Sequence, residues 1–205
     1  GTHSNCSGGI TPWGSFLSCE ENYQDYAGER IFPSKGPSYI KQGIHQWERF
    51  YAYPPEHYGW VVEIQPKTGQ AKKLVALGRY SHECCSLIQA NDGRMVAYSG
   101  DDKENEFIYK FVSDSKESLE KGTLFVANTD KGEWVSLDFE EQQILKDHFE
   151  NQTEVLIRAR EAARLVGATP QNRPEDIEID PYTGEVCVAL TKNSSKGDYF
   201  GSILK

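Results

Sequence analysis

Between Asn5 and Glu21 the chain reads NCSGGITPWGSFLSCEE, and few backbone paths accept such a run. Gly8-Gly9 and then Thr11-Pro12-Trp13-Gly14 commit it to a tight course, because glycine opens conformations closed to other residues and proline locks its own φ. Ser15-Phe16-Leu17-Ser18 follows with weak period-two alternation, the mark of a short strand. The run ends on Cys19-Glu20-Glu21, a thiol beside two carboxylates at the end of a rigid element. Side chains alternate across a strand, so Cys19 and Glu21 share a face unless the strand stops first and a turn brings Cys19 and Glu20 into one cavity. Read alone, the segment better fits a buried core cysteine followed by two solvated glutamates.

The rest of the chain is a series of short β-rich runs. Asn22 to His57 is rich in Tyr, Pro, Gly and charge without a sustained period, and reads as a long excursion of loops. A hairpin is expected next: Trp60 to Ile64, a turn at Pro66-Lys67-Thr68-Gly69, and a return over Ala71 to Leu77. Gly78-Arg79-Tyr80-Ser81-His82-Glu83-Cys84-Cys85 leads into Ser86-Leu87-Ile88, and Asn91-Asp92-Gly93-Arg94 is another turn signal. Strands are expected at Met95 to Ser99, ending on Gly100-Asp101-Asp102, at Glu106 to Val112, Thr123 to Asn128 and Glu133 to Leu137. Eleven Tyr, nine Phe, four Trp and eighteen Gly favour strands and turns over helix. Glu63-Ile64-Gln65-Pro66-Lys67-Thr68-Gly69-Gln70 echoes Glu178-Ile179-Asp180-Pro181-Tyr182-Thr183-Gly184-Glu185. A hairpin that recurs among many short strands points to radial repetition, as in a β-propeller; a sandwich with two similar hairpins is the alternative.

One segment breaks the β pattern. From Gln152 to Val166 the apolar residues Val155, Leu156, Ala159, Ala163 and Val166 fall at helical spacing, with Asn151 or Thr153 to start the helix and Gly167 to stop it. The spacing predicts a helical insertion over about 140–167, with Arg158, Arg160 and Arg164 on its solvated face. After it, Pro174 fixes the backbone between Arg173 and the carboxylates Glu175 and Asp176, just before Ile177-Glu178-Ile179. The last strand, Glu185 to Leu190, runs into Thr191-Lys192-Asn193.

A net charge of −9 argues against a nucleic-acid partner, which demands clustered Lys and Arg, and is compatible with cation binding. No run approaches the roughly 20 apolar residues of a membrane helix. No signal peptide is visible, and the chain opens on Gly1 without Met, as a processed chain or a cut fragment does. The cysteines are five, an odd number: Cys6, Cys19, Cys84, Cys85 and Cys187. One stays unpaired if the others are bridged, and a metal-bound thiolate would account for it; all five reduced and buried is the other reading.

Five segments, in this order, carry a resemblance: NCSGGITPWGSFLSCEE from Asn5, GRYSHE from Gly78, YSGDD through FIYKFVS from Tyr98, GATPQNRPEDIEID from Gly167 and CVALTKNSS from Cys187. Together they resemble the PhoX-type alkaline phosphatases. The resemblance implies an all-β chain, part of a six-bladed β-propeller, with residues 1–205 forming a single propeller unit that carries the helical insertion. It further implies a site of Fe3+ and Ca2+ ions, two irons and three calciums joined by an oxo group, that hydrolyses small-molecule phosphate monoesters at alkaline pH. It implies export of the folded protein through a twin-arginine signal to the periplasm or the outside of the cell. The match covers only part of that family's length, so some ligands are expected to lie elsewhere.

Carried over position by position, the resemblance makes Cys19 the iron thiolate, makes Glu20, Glu83 and Glu175 carboxylate ligands, and gives Arg173 the substrate phosphate. Asp101, Asp102, Asp176 and Asn193 fall in matching segments without an assigned metal. The residue types suit such chemistry. Several carboxylate oxygens satisfy a hard cation such as calcium, and guanidinium presents a fork matched to phosphate oxygens. A metal deprotonates a thiol outright. Taken singly, Asp101-Asp102 reads better as a turn, Arg173 with Glu175 or Asp176 as a surface ion pair, and His82 as a structural residue, since hard cations prefer oxygen. Two other functions fit: a non-catalytic calcium-binding propeller module, and a calcium-dependent propeller hydrolase such as a lactonase. Neither has use for a thiolate.

Overall fold

The computed structural model describes residues 1–205. Strand β1 (Asn5–Ile10) pairs with β2 (Phe16–Glu20). Its two glycines are there because of packing. A Cβ on Gly8 would stand 1.9 Å from the Leu17 carbonyl oxygen, and one on Gly9 would stand 2.5 Å from that of Cys85. The long excursion after β2 holds α1 (Tyr23–Ala27) and a small hairpin of β3 (Glu29–Ile31) and β4 (Tyr39–Lys41), so it is only partly loop. The chain then returns in β5 (Val61–Ile64) and β6 (Ala71–Lys73), which complete an antiparallel sheet in the order β1-β2-β5-β6. The return strand ends at Lys73, and Val75–Leu77 tighten into a 3₁₀ turn.

A second antiparallel sheet follows: β7 (Ser86–Gln89), β8 (Met95–Gly100), β10 (Ile108–Ser113), β11 (Gly122–Asn128) and β12 (Glu133–Ser136), in the order β12-β11-β10-β8-β7. The short β9 (Glu104–Glu106) leaves it to pair with β13 (Gln171–Asn172). The third sheet is β14 (Pro174–Ile179), β15 (Val186–Leu190) and β16 (Ser202–Leu204). No sheet closes on itself; each is open at both edges. The two echoed hairpins have the same turn. Gln65 N donates to Gln70 O at 2.8 Å and Gly69 N to Gln65 O at 2.9 Å; Asp180 N donates to Glu185 O at 2.9 Å and Gly184 N to Asp180 O at 2.8 Å.

The insertion is three helices: α2 (Gln143–His148), α3 (Gln152–Ile157) and α4 (Ala159–Leu165). Asn151 caps α3 by accepting from Glu154 N. The helix expected to run unbroken from Gln152 to Val166 is interrupted at Arg158 for an identifiable reason. The Leu156 carbonyl, which would accept from residue 160 in a continuous helix, instead accepts the Arg79 N–H at 2.9 Å. Val155, Leu156, Ala159, Ala162 and Ala163 turn inward and pack with Leu77, Tyr80, Tyr109 and Leu124 in the main core. A smaller core of Cys84, Ile108, Ala127, Ile177 and Val188 joins the second sheet to the third. The segments 81–85, 100–102 and 172–175 are therefore held where the three sheets meet.

Candidate metal centre

Three backbone contacts assemble the centre. Glu83 N donates to Gly100 O at 3.3 Å, and Asp102 N donates to Ser81 O at 3.0 Å, so the GRYSHE and GDD segments lie side by side. Gly100 is pressed against the third sheet: a Cβ there would stand 2.3 Å from the Pro174 carbonyl oxygen and 2.8 Å from that of Glu175. At the first sheet, the register of β1 and β2 slips between Asn5 and Gly8. Such a bulge re-aims side chains. Here it carries Cys6, whose thiol donates to Glu83 Oε1 at 3.1 Å.

The result is a cluster of ligand atoms from distant parts of the chain. Cys6 Sγ and carboxylate oxygens of Glu21 and Glu83 all lie within 4.8 Å of one another. Asp102 lies close enough to raise the Glu21 carboxyl, and Glu175 and Asp176 lie close enough for their charges to act on Glu83. Arg173 reaches in from the third sheet, with NH2 2.7 Å from Asp102 Oδ2 and 3.1 Å from Glu175 Oε1. Its φ of 52° lies in the left-handed region, uncommon for a residue with a side chain and costing of order 1–3 kcal/mol.

The electrostatics suit a cation. Partial burial, the Asp102 contact and the Glu83 charge push the Glu21 carboxyl up to about 7. Glu83 is raised by burial and by Asp102, Glu175 and Asp176. The Cys6 thiol is pushed up to about 11 by burial and by its bond to Glu83. Asp102 Oδ1 is buried and has no hydrogen-bond partner. Crowded carboxylates with one orphaned oxygen leave unsatisfied acceptors beside a soft sulfur donor, a set that fits iron together with a hard, oxygen-seeking ion.

Of the residues expected from the sequence, Glu83, Asp102, Arg173 and Glu175 come together here, with exposed Asp176 at the edge. Cys19 does not join them. It points into the main core with Leu17, Val61 and Cys85, and burial raises its thiol well above the ordinary value. Glu20 is fully buried on the other face of β2. Its carboxylate accepts from Lys73 Nζ at 2.9 and 3.1 Å, from the Gly59 and Trp60 amides at 2.9 and 3.0 Å, and from the His3 amide at 3.2 Å, which leaves little capacity for a metal. Asp101 turns away from Asp102 and is bound in two-pronged fashion by Arg160, at 2.6 and 2.7 Å. Arg160 is thus not on a solvated face as its helical position suggested. Asn193 is fully buried in a separate network of asparagines. His82 is structural: it lies between Ser99 Oγ and the Gly78 carbonyl, stacked on Tyr80, and burial lowers it to about 3.

The residues that the sequence reading passed over are Cys6 and Glu21. Both sit in its opening motif, and the signal available there was the odd cysteine count and the second of two adjacent glutamates. A cavity of about 220 Å³ beside α4 is ringed by Arg30, Arg79, Arg158, Arg160 and Arg164, but all five pair with carboxylates, so it offers no free cation to an anion.

The alkaline phosphatase PhoX family profile matches residues 1–203. Among solved structures, Pseudomonas fluorescens PhoX in complex with vanadate, a transition state analogue, is similar at a TM-score of 0.80 and 36% identity, over 96% of this chain and 41% of that one. The chain therefore spans less than half the length of that relative. Among curated proteins none matches. The three-sheet arrangement and the match over nearly every residue place the chain in the PhoX alkaline phosphatase family.

Proposed function

We propose that this chain forms part of a six-bladed β-propeller, as one unit with its helical insertion, and supplies much of a metal-dependent site that hydrolyses phosphate monoesters at alkaline pH. The observation that carries the reading is the convergence of Cys6 Sγ, Glu21 and Glu83 within 4.8 Å beside Arg173, in a chain of this family. Cys6 is the iron thiolate in this reading, in place of Cys19. Glu21, Glu83, Asp102 and Glu175 are the carboxylate ligands of iron and calcium, with Asp176 at the periphery. Glu20, with its oxygens already engaged, is a structural anchor of the first sheet.

When bound, the metals would acidify water and neutralise charge on the phosphoryl oxygens. The chain's own residues prepare the rest. Asp102 and Glu175 both meet NH2 of the Arg173 guanidinium, which fixes its direction and leaves the Nε and NH1 hydrogens to donate to phosphate oxygens. Phosphate recognition by a guanidinium that stays charged through the alkaline range suits a reaction run there; the Asp102 hydrogen bond raises Arg173 further. The thiol argues against a calcium-only binding module or lactonase, because hard cations take oxygen. No helix is long and apolar enough to cross a membrane, and the family resemblance favours a periplasmic or extracellular location.

The test is metal analysis of the full-length protein alongside hydrolysis of p-nitrophenyl phosphate at alkaline pH, for wild type and Cys6→Ala. Iron and calcium with activity in the wild type, and loss of iron and activity in the variant, are expected. A wild-type protein that binds calcium alone and turns over no phosphate ester would overturn the reading.

A further inference from the structure

Arg173 occupies a left-handed backbone conformation immediately before a proline, and something must hold it there. The residue before it, Asn172, is fixed at every polar group of its side chain and at its carbonyl. Its Oδ1 accepts from Asn193 Nδ2 at 3.0 Å, its Nδ2 donates to Asp198 Oδ2 at 2.7 Å, and its carbonyl accepts from Thr191 N at 3.0 Å. Asn193 is the hub of this arrangement and is fully buried. Its second amide hydrogen goes to Asn105 Oδ1 at 2.9 Å. Its own Oδ1 accepts from Ser195 Oγ at 2.5 Å and Lys196 N at 3.3 Å. Its backbone exchanges two hydrogen bonds with Asp198, at 2.7 and 3.0 Å.

Two non-glycine residues in this region have positive φ, Asn105 at 66° and Arg173 at 52°. Asn193 Nδ2 reaches both neighbourhoods at once, through Asn105 itself and through Asn172. The same segment also fixes a partner of the guanidinium: Thr191 Oγ1 donates to Glu175 Oε1 at 3.0 Å, and Glu175 is one of the two carboxylates that meet Arg173 NH2. A buried amide with donors and acceptor all engaged has no free oxygen for a cation, so its chemistry here is geometric.

We propose that Asn193, with Asp198, is a positioning residue: it clamps Asn172 and so holds Arg173 in the strained conformation that aims its guanidinium at the substrate phosphate. This rests on the phosphatase reading above. The contribution is made through Arg173, not through the metals. Asn193→Asp keeps the shape and the acceptor but replaces the two donated hydrogen bonds with a charge facing two carbonyl oxygens. Asp198→Ala, at a half-buried position, removes one acceptor of Asn172 and serves where Asn193→Asp folds poorly.

The experiment is a double-mutant cycle on the metal-loaded full-length protein, reading inhibition by inorganic phosphate and KM for p-nitrophenyl phosphate. Each positioning variant is made with Arg173 intact and with Arg173→Ala. With Arg173 present, Asn193→Asp or Asp198→Ala is expected to weaken phosphate inhibition about tenfold or more, the scale of one lost charge-assisted hydrogen bond, at unchanged iron and calcium content. In the Arg173→Ala background the same changes are expected to have little further effect. Equal, additive losses in both backgrounds, or loss of metal in the positioning variants, would overturn the proposal. A wild-type protein without phosphatase activity would instead remove the reading on which it rests.

Discussion

Arg160→Met tests how the helical insertion anchors Asp101 beside the candidate metal centre. Asp101 is completely buried and its two oxygens are bound by Arg160 Nε and NH2 at 2.7 and 2.6 Å; the one other donor to the carboxylate is the Ser81 amide, at 3.2 Å. Arg160 NH2 also donates to Ser81 Oγ at 3.2 Å. Methionine retains helix propensity and most of the stem's packing, so the loss is concentrated in the ion pair. Removing one member of a buried pair leaves the other uncompensated, at about 3–5 kcal/mol. Net formation of the pair is worth far less than that, because both ions were desolvated to make it. The double variant Arg160→Met/Asp101→Asn therefore regains much of the loss, to within about 1–2 kcal/mol of wild type, since position 101 no longer carries a buried charge and Glu106, 4.0 Å from Arg160 Nε, keeps its pair with Arg164. Urea unfolding of the metal-free protein, followed by tryptophan fluorescence, measures both. An Arg160→Met variant within about 1 kcal/mol of wild type, or a double variant as unstable as the single, would refute the reasoning.

Three further outcomes follow from the same geometry. Cys6→Ala is expected to lose iron with little change in stability, whereas Cys19→Ala keeps the metals and loses about 1 kcal/mol to a small core cavity; metal analysis and thermal melts separate the two. In metal-free protein, Glu21 binds its proton more tightly folded than unfolded, because its carboxyl is raised from 4.5 to about 7. Its stabilising contribution is therefore complete below about 4.5 and lost as pH rises through about 7, so the melting temperature falls over that window, flattens in Glu21→Gln, and recovers when metal is added. Gly100→Ala would bring a Cβ within 2.3 Å of the Pro174 carbonyl oxygen and push β14 off β8. A displacement of Arg173 and Glu175 on the order of 1 Å is expected to cost about a hundredfold in turnover of p-nitrophenyl phosphate, and an unchanged rate would show that the close approach is not needed.

What could be read from the sequence was what local chemistry decides. The twin hairpins at Gln65–Gln70 and Asp180–Glu185 were legible because proline and glycine at matched offsets specify the turn by themselves. The Asn151 cap was legible for the same reason. The break at Arg158 was not, since the N–H that takes the Leu156 carbonyl belongs to Arg79, on a different part of the chain. Arg160 looked like a solvated helix residue because its partner Asp101 lies 59 positions away.

The choice between Cys19 and Cys6 shows the limit most clearly. Both belong to the opening motif, and alternation along a regular strand is a sound rule. It correctly opposes Cys19 to Glu20 across β2 and sends one into the apolar core and the other to Lys73. The rule says nothing of Cys6, because the bulge that aims Cys6 exists only in the pairing of β1 with β2, and the carboxylate it meets is 77 residues along. Asp101 and Asp102 repeat the lesson at closer range: neighbouring carboxylates in an extended segment point to opposite sides, one to Arg160 inside the fold and one to Arg173 at the centre. In each pair the residue type announced a ligand, but only the burial of its neighbour decided which of the two remained free to act as one.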